Sequence, residues 1–206
     1  GGRGGVSRRR PPFPVGGRAC ALIAAAPRPM LPPEAWPAGR AGCGAAMRLT
    51  AQPLTAGAFA PFGEVLEAPG APGRAYFDRA LANRRPAASP SLSIVVKEPL
   101  AGLPLRSGVM ERHPFSSQSF VPLDAGRWLV VVAPRAAEGG GGPDMARARA
   151  FLARGDQGVT YGVGVWHHPF TVLDRAARFA VFMWRDGTAG DDEFAETPPF
   201  EVHPPD

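Results

Sequence analysis

The body of this chain has no cysteine. Both cysteines of the 206 residues, Cys20 and Cys43, fall among the first 46. Residues 47–206 therefore carry no disulfide framework and no thiolate nucleophile, a composition that fits a reducing cytoplasm. Long apolar runs are missing too. None approaches the roughly 20 residues that span a bilayer, so no membrane partner is expected. Nor does the body have an excess of positive charge. Residues 1–46 hold seven arginines against one acidic residue, Glu34, a net +6, so the overall +5 leaves residues 47–206 at −1. With no cationic surplus to neutralise phosphates, nucleic acid is not an expected partner. The run Gly139 to Gly142 lacks the Lys-Ser/Thr and helix entry of a phosphate-binding loop and reads as a flexible connection. No organic cofactor is expected.

Residues 1–46 are rich in Gly, Pro, Ala and Arg and show little hydrophobic periodicity. Such a composition buries too little apolar surface to offset the entropy of ordering. They are expected to form a disordered leader outside the native protein, with Met47 as its start, because patterned sequence begins at Met47-Arg48-Leu49-Thr50. A signal-peptide reading of Arg8-Arg9-Arg10 followed by Ala19 to Ala26 is weaker, since the apolar run is short and interrupted by prolines. Residues 47–206 are long enough for one domain with a sizeable core.

In the body, Thr55 to Phe62 has the pattern of a capped helical turn, and Glu64 to Glu67 that of a strand. Residues 68–90 form a long connection. Short runs rich in Val, Phe and Trp follow: Leu92–Val96, Arg106–Arg112, Ser119–Val121, Arg127–Ala133, Gly158–Tyr161, Phe170–Leu173 and Arg178–Trp184. Their spacing of roughly 8–12 residues predicts an antiparallel barrel or jelly roll rather than βαβ units. One helix is expected among them. Pro143-Asp144 opens it, Met145, Ala148, Phe151 and Leu152 give its apolar stripe, and Gly155 stops it. The tail from Thr197 to Asp206 is expected to lie over the surface.

Three of the four histidines lie in two segments, Met110 to Phe120 and Gly164 to Phe170. Residues two apart on a strand share a face, so Glu111 and His113 are cofacial and Arg112 points the other way. A turn at Ser116-Ser117 returns Gln118 toward the same interior. Gly164 is placed to make a tight turn that feeds His167 onto the next strand, with His168 alternating outward. Trp166 reads as packing and His203 as solvated. Arg106 and Arg127 are candidates to hold a substrate carboxylate.

The spacing Glu111-x-His113-x4-Gln118, with a later Gly164-x-x-His167, resembles a degenerate cupin site. The segments Glu111-Arg112-His113-Pro114, Ser117 to Pro122, Gly155 to Val159 and Val165 to Pro169 are together similar to the ureidoglycolate lyase family. The opening stretch Leu54 to Glu67 shares that similarity. The resemblance covers about residues 47–195. It departs near the C-terminal strand: many members carry an Asp-Arg-Gly type segment and then Asn-Cys, where this chain has Phe182 to Thr188 and then Asp191-Asp192-Glu193.

The resemblance implies a mainly β, cupin-like double-stranded β-helix barrel with a few short helices. It implies a lyase that cleaves (S)-ureidoglycolate to glyoxylate and urea in allantoin breakdown. Glu111, His113 and His167 would be catalytic, and Gln118, His168 and Arg112 would bind substrate. Glu111, His113, Gln118 and His167 would form a metal set for nickel or another divalent ion. A homodimer is also implied, with Trp128 to Val132 as a candidate exposed apolar face. Three alternatives stay open at this level: a non-catalytic module that binds a small carboxylate, a different metal-dependent cupin enzyme, and an amidohydrolase outcome releasing ammonia.

Overall fold

A computed structural model of the chain describes Gly1, residues 46–137 and residues 140–205. The expected disordered leader, residues 1–46, therefore falls almost wholly outside the described residues, as does Gly139 of the glycine run. The described body is mainly β: β1 (Met47–Thr50), β2 (Gln52–Pro53), the short helix α1 (Ala56–Phe59), β3 (Gly63–Leu66), β4 (Ser89–Lys97), β5 (Leu105–Arg112), β6 (Gln118–Pro122), β7 (Trp128–Ala133), β8 (Arg149–Ala153), β9 (Gly158–Tyr161), β10 (Trp166–His167), β11 (Thr171–Val172), β12 (Ala177–Arg185) and β13 (Glu193–His203). The Thr55 side chain caps α1 by accepting from Ala58 N–H, as its position before the helix predicts.

The strands form two sheets. One runs β1-β13-β5-β10-β7-β8-β2, with β11 also paired to β7, and the other runs β3-β9-β6-β12-β4. Aromatic side chains from both meet in one interior. The Trp128 ring of the first sheet lies 5.2 Å from Phe179 of the second, edge to face, and Phe120 lies 4.8 Å from Phe170. Such pairs add to the burial of their large apolar surfaces.

The first sheet is covered on both faces. Along β7 every residue is buried, and the side chains alternate between two clusters. Trp128, Val130 and Val132 join the interior between the sheets, while Leu129, Val131 and Ala133 join a second cluster with Met110, Trp166 and Phe200. A continuous apolar run is the pattern of a strand buried on both sides. The expectation that Trp128 to Val132 is an exposed interface face is therefore corrected: these side chains are at most 2% exposed. The exposed apolar side chains lie elsewhere. Leu92, Ile94 and Val96 of the edge strand β4, together with Val121, face solvent.

Two further expectations change. The segment from Pro143 to Gly155 is not a helix but a single 3₁₀ turn, Met145–Arg147, followed by β8. The apolar spacing of this segment fits a helix, but the pairing of β8 with β7 and β2 uses its backbone groups on both sides, and tertiary pairing overrides local pattern. Gly155 is required by space rather than as a stop, since a Cβ there would meet the Ala125 carbonyl oxygen at 2.1 Å. The tail is not a surface cover. Through residue 203 it forms most of β13, which pairs with β5 and β1 across an irregularity between Glu196 and Phe200, and it buries Phe200 and Val202. His203 there is half-buried against Glu201, 3.0 Å away, rather than solvated.

Candidate active site

The alternation that places Met110 in the second cluster points Glu111 into the interior between the sheets. β10 brings His167 beside it, as register partner of both Glu111 and Val132. Gly164 makes the turn that feeds β10, with φ of 74°, and its N–H donates to the His113 carbonyl at 2.8 Å. Only glycine adopts that backbone conformation without steric cost. The result is a buried trio. One ligand atom from each of Glu111, His113 and His167 lies within 4.8 Å of the others. His167 Nε2 is 3.4 Å from Glu111 Oε1, and the two imidazole centroids are 5.5 Å apart.

Both histidines are oriented through Nδ1. His113 Nδ1 donates to the Asp191 carbonyl at 2.9 Å and lies 3.2 Å from Asp192 Oδ1. His167 Nδ1 donates to the Val165 carbonyl at 3.0 Å. A carbonyl only accepts, so each Nδ1 carries a proton and Nε2 of the neutral ring holds a lone pair. Both Nε2 atoms are buried and, among the described residues, have no hydrogen-bond partner. Two lone pairs and a carboxylate thus converge with no donor between them, and the arrangement calls for positive charge, as a proton or as a cation. Imidazole and carboxylate together suit a divalent transition metal. The backbone carbonyls behind both rings supply the outer support that metal-ligating histidines usually have.

Burial pushes the Glu111 carboxyl up, but the contact with His167 and the charges of His167, His113 and His168 outweigh it and hold Glu111 below its ordinary value. For His113, burial pushes the ring down. Asp192, Glu111 and the Asp191 carbonyl outweigh that and raise it. Glu111 is therefore the ionised partner and His113 the ring with the enhanced proton affinity.

Of the other expected residues, Gln118 is brought to the interior. It is the cross-strand partner of Tyr161 between β6 and β9, and its Oε1 is buried without a partner. Arg112 and His168 are not brought together with the trio. Arg112 lies over the Trp166 ring, 4.6 Å from its centroid, and is ion-paired with Glu193 at 2.6 Å. His168 meets Phe200 of the second cluster edge to face, with centroids 6.0 Å apart. Trp166 is buried packing, and its indole N–H donates to the Gly141 carbonyl. Arg106 and Arg127 are engaged at the surface with Glu201 and Asp174.

Two features escaped the sequence. Tyr161 is fully buried and stacks on His167, with centroids 4.1 Å apart and planes 9° from parallel. Burial, with the charge of Glu111, raises its hydroxyl and keeps it protonated. Asp191 is 3% exposed. Its carboxylate accepts from Phe115 N–H, from the Ser116 hydroxyl and from Arg85. Phe115 and Ser116 mark only a turn in the sequence, and no local spacing ties them to residues 85 or 191.

His168 makes acid stability a direct test of this packing. Burial is the largest effect on its ring and lowers it from 6.5 to about 4. The unfolded chain takes up that proton near 6.5 and the folded chain only near 4, so this part of the stability is complete above pH 6.5 and is lost as the pH falls toward 4. At about 1.4 kcal/mol per pH unit, roughly 2 kcal/mol should be gone at pH 5 and about 3 in full. Urea midpoints at pH 7.5 and pH 5 should show the loss, and a His168→Phe variant should show correspondingly less. An equal loss in both proteins would refute the assignment.

Among known proteins, residues 46–203 match the family model described as ureidoglycolate lyase. A ureidoglycolate lyase from Brucella melitensis biotype 2 is 44% identical over 141 residues, 65% of this chain and 80% of that protein. A ureidoglycolate lyase from Rhizobium etli is 41% identical over 166 residues, 76% of this chain and 96% of that protein. Among solved structures, an oxalate decarboxylase from Lactobacillus farciminis in a formate complex is similar at 14% identity and a TM-score of 0.35, over 65% of this chain and 31% of that one.

Proposed function

The chain belongs to the ureidoglycolate lyase family, and from that premise we propose that Glu111, His113 and His167 are the groups with which it cleaves (S)-ureidoglycolate to glyoxylate and urea. The reaction is that of a carbon–nitrogen lyase. The observation that carries the assignment of the site is the buried convergence of one carboxylate and two unpartnered imidazole nitrogens on one point.

The substrate is a carbinolamine. Its hydroxyl loses a proton, the C–N bond breaks, the carbon becomes the aldehyde of glyoxylate, and the departing urea nitrogen gains a proton. The net proton movement is from oxygen to a nitrogen on the same carbon. One carboxylate serves both ends: Glu111, held ionised, takes the hydroxyl proton at one oxygen and delivers it to the urea nitrogen. General acid–base transfer of this kind contributes about 10²–10⁴-fold. His167 Nε2 flanks the Glu111 carboxylate at 3.4 Å, and the apolar walls from Phe59, Phe120 and Val159 limit access of water. Glu111, His113 and His167 would also hold a divalent cation, nickel being the one the resemblance implies. When bound, it would polarise the substrate hydroxyl as a Lewis acid. Gln118 belongs in this reading to the substrate rather than to the cation.

Purified protein incubated with ureidoglycolate, with and without added nickel, should release glyoxylate and urea in equal amounts. Turnover no faster than the spontaneous rate in both conditions, or release of ammonia instead of urea, would overturn the proposal. A cytoplasmic location is supported by the cysteine-free body. Among the described residues no helix is long and apolar enough to cross a membrane. For the homodimer that the resemblance implies, the supporting surface is the outer face bearing Leu92, Ile94, Val96 and Val121.

A further inference from the structure

The trio accounts for the reacting carbon but not for how the urea end of the substrate is recognised. Two neutral polar groups on the second sheet face the same interior and are not used by the trio. Gln118 and Tyr161 are register partners on neighbouring antiparallel strands, so their side chains lie side by side on one face. The neighbouring residues on that face, Phe120 and Val159, are apolar and buried. The Tyr161 ring is parallel to His167, which carries the pair to the edge of the trio. Among the described residues, the Tyr161 hydroxyl and Gln118 Oε1, both buried, have no hydrogen-bond partner, and Gln118 Nε2 meets the Met183 sulfur at 3.8 Å. Buried polar atoms are almost always paired, and an exception needs a reason.

We propose that Tyr161 and Gln118 are the ureido-recognition pair of the site, the Tyr161 hydroxyl donating to the ureido carbonyl oxygen and Gln118 Oε1 accepting from the terminal amide N–H. One neutral donor beside one neutral acceptor is the complement of a urea, which offers a carbonyl oxygen next to an amide N–H. Neither group carries charge, so the pair suits the uncharged end of the molecule and leaves the carboxylate and hydroxyl to the trio. A site built to hydrogen-bond such a group discriminates strongly against ligands that lack it, because its own buried atoms are then left unpaired. This inference rests on the reaction proposed above, but its test does not need turnover.

The probes are N-carbamoylglycine, which keeps the ureido group and carboxylate but lacks the hydroxyl, and glyoxylate, which lacks the ureido group. Both are titrated calorimetrically into wild type, Tyr161→Phe and Gln118→Leu. Tyr161→Phe removes one oxygen and keeps the ring stacked on His167, and thermal melting checks that the barrel is intact. Each variant should weaken N-carbamoylglycine about tenfold or more and leave glyoxylate within about twofold. Equal weakening of both ligands, or no weakening of N-carbamoylglycine, would overturn the pair. If N-carbamoylglycine binds in a Tyr161-dependent way but wild type does not turn over ureidoglycolate, the recognition pair stands and the lyase assignment falls.

Discussion

Glu111→Gln should lower kcat for ureidoglycolate by about 10²–10⁴-fold and leave the barrel folded. The substitution keeps the shape of the side chain and removes its charge together with its capacity to take the hydroxyl proton. Glu111 lies at the inward-facing end of β5 with 14% of its side chain exposed. The carboxylate is costly to bury, and its ionised form is maintained by the neighbouring imidazoles. Replacing it by a neutral amide relieves that desolvation but also removes the interactions that outweigh it, so the melting temperature should fall modestly while activity falls by orders of magnitude. Steady-state rates and melting curves on the same preparations decide it. Activity within a few-fold of wild type would remove Glu111 from the proton path, and a collapsed melt would show the side chain to be structural.

Asp191→Ala should destabilise the fold by about 3–5 kcal/mol, the usual cost of removing one partner from a buried ion pair. Arg85 donates to the Asp191 carboxylate at 2.9 Å, with the two side chains 14% and 5% exposed. The same carboxylate accepts from Phe115 N–H at 2.8 Å and from the Ser116 hydroxyl. Alanine leaves all three donors short of a partner. Asp186 and the Trp184 carbonyl still hold Arg85, which limits the loss. Because the carboxylate network also sets the backbone position from which the Asp191 carbonyl fixes the His113 ring, turnover should fall further than the folded fraction alone accounts for. Chemical denaturation followed by activity per folded molecule separates the two effects. A loss below about 1 kcal/mol would show that this network adds little to stability.

The pairing of Asp191 with His113 also bears on the departure of this chain from its family. The segment Asp191-Asp192-Glu193 differs from the Asn-Cys of many members. It contacts His113 and Arg112, and in the proposed reading it orients the site rather than reacts. Backbone carbonyls serve that purpose whatever the side chain, so the first of these contacts tolerates substitution at Asp191 better than the carboxylate network does.

Much of the site follows from one strand and its period. Alternation along Met110 to His113 assigns Glu111 and His113 to one face and Arg112 to the other, and the structure agrees at each position. His168 alternates away from His167 for the same reason. Local pattern was less informative where two environments favour the same residues. The apolar run of β7 reads equally as an exposed sticky face and as a strand covered twice, and only the second cluster of Met110, Trp166 and Phe200 distinguishes them. The spacing of Met145, Ala148, Phe151 and Leu152 fits a helix until β7 and β2 are set beside it.

By itself, the sequence determined the strands other than β1, β2, β8 and β13, the inward parity of Glu111 and His113 and the turn at Gly164. These depend on a two-residue period and on one backbone conformation open to glycine, both properties of neighbouring residues. Only the tertiary structure decided that Gln118 and Tyr161 lie side by side, that Asp191 stands behind His113, and that His167 Nε2 and the His113 ring meet Glu111. Those relations join segments tens of residues apart, and they depend on sheet register and on which buried polar atoms are left without partners once the core has closed.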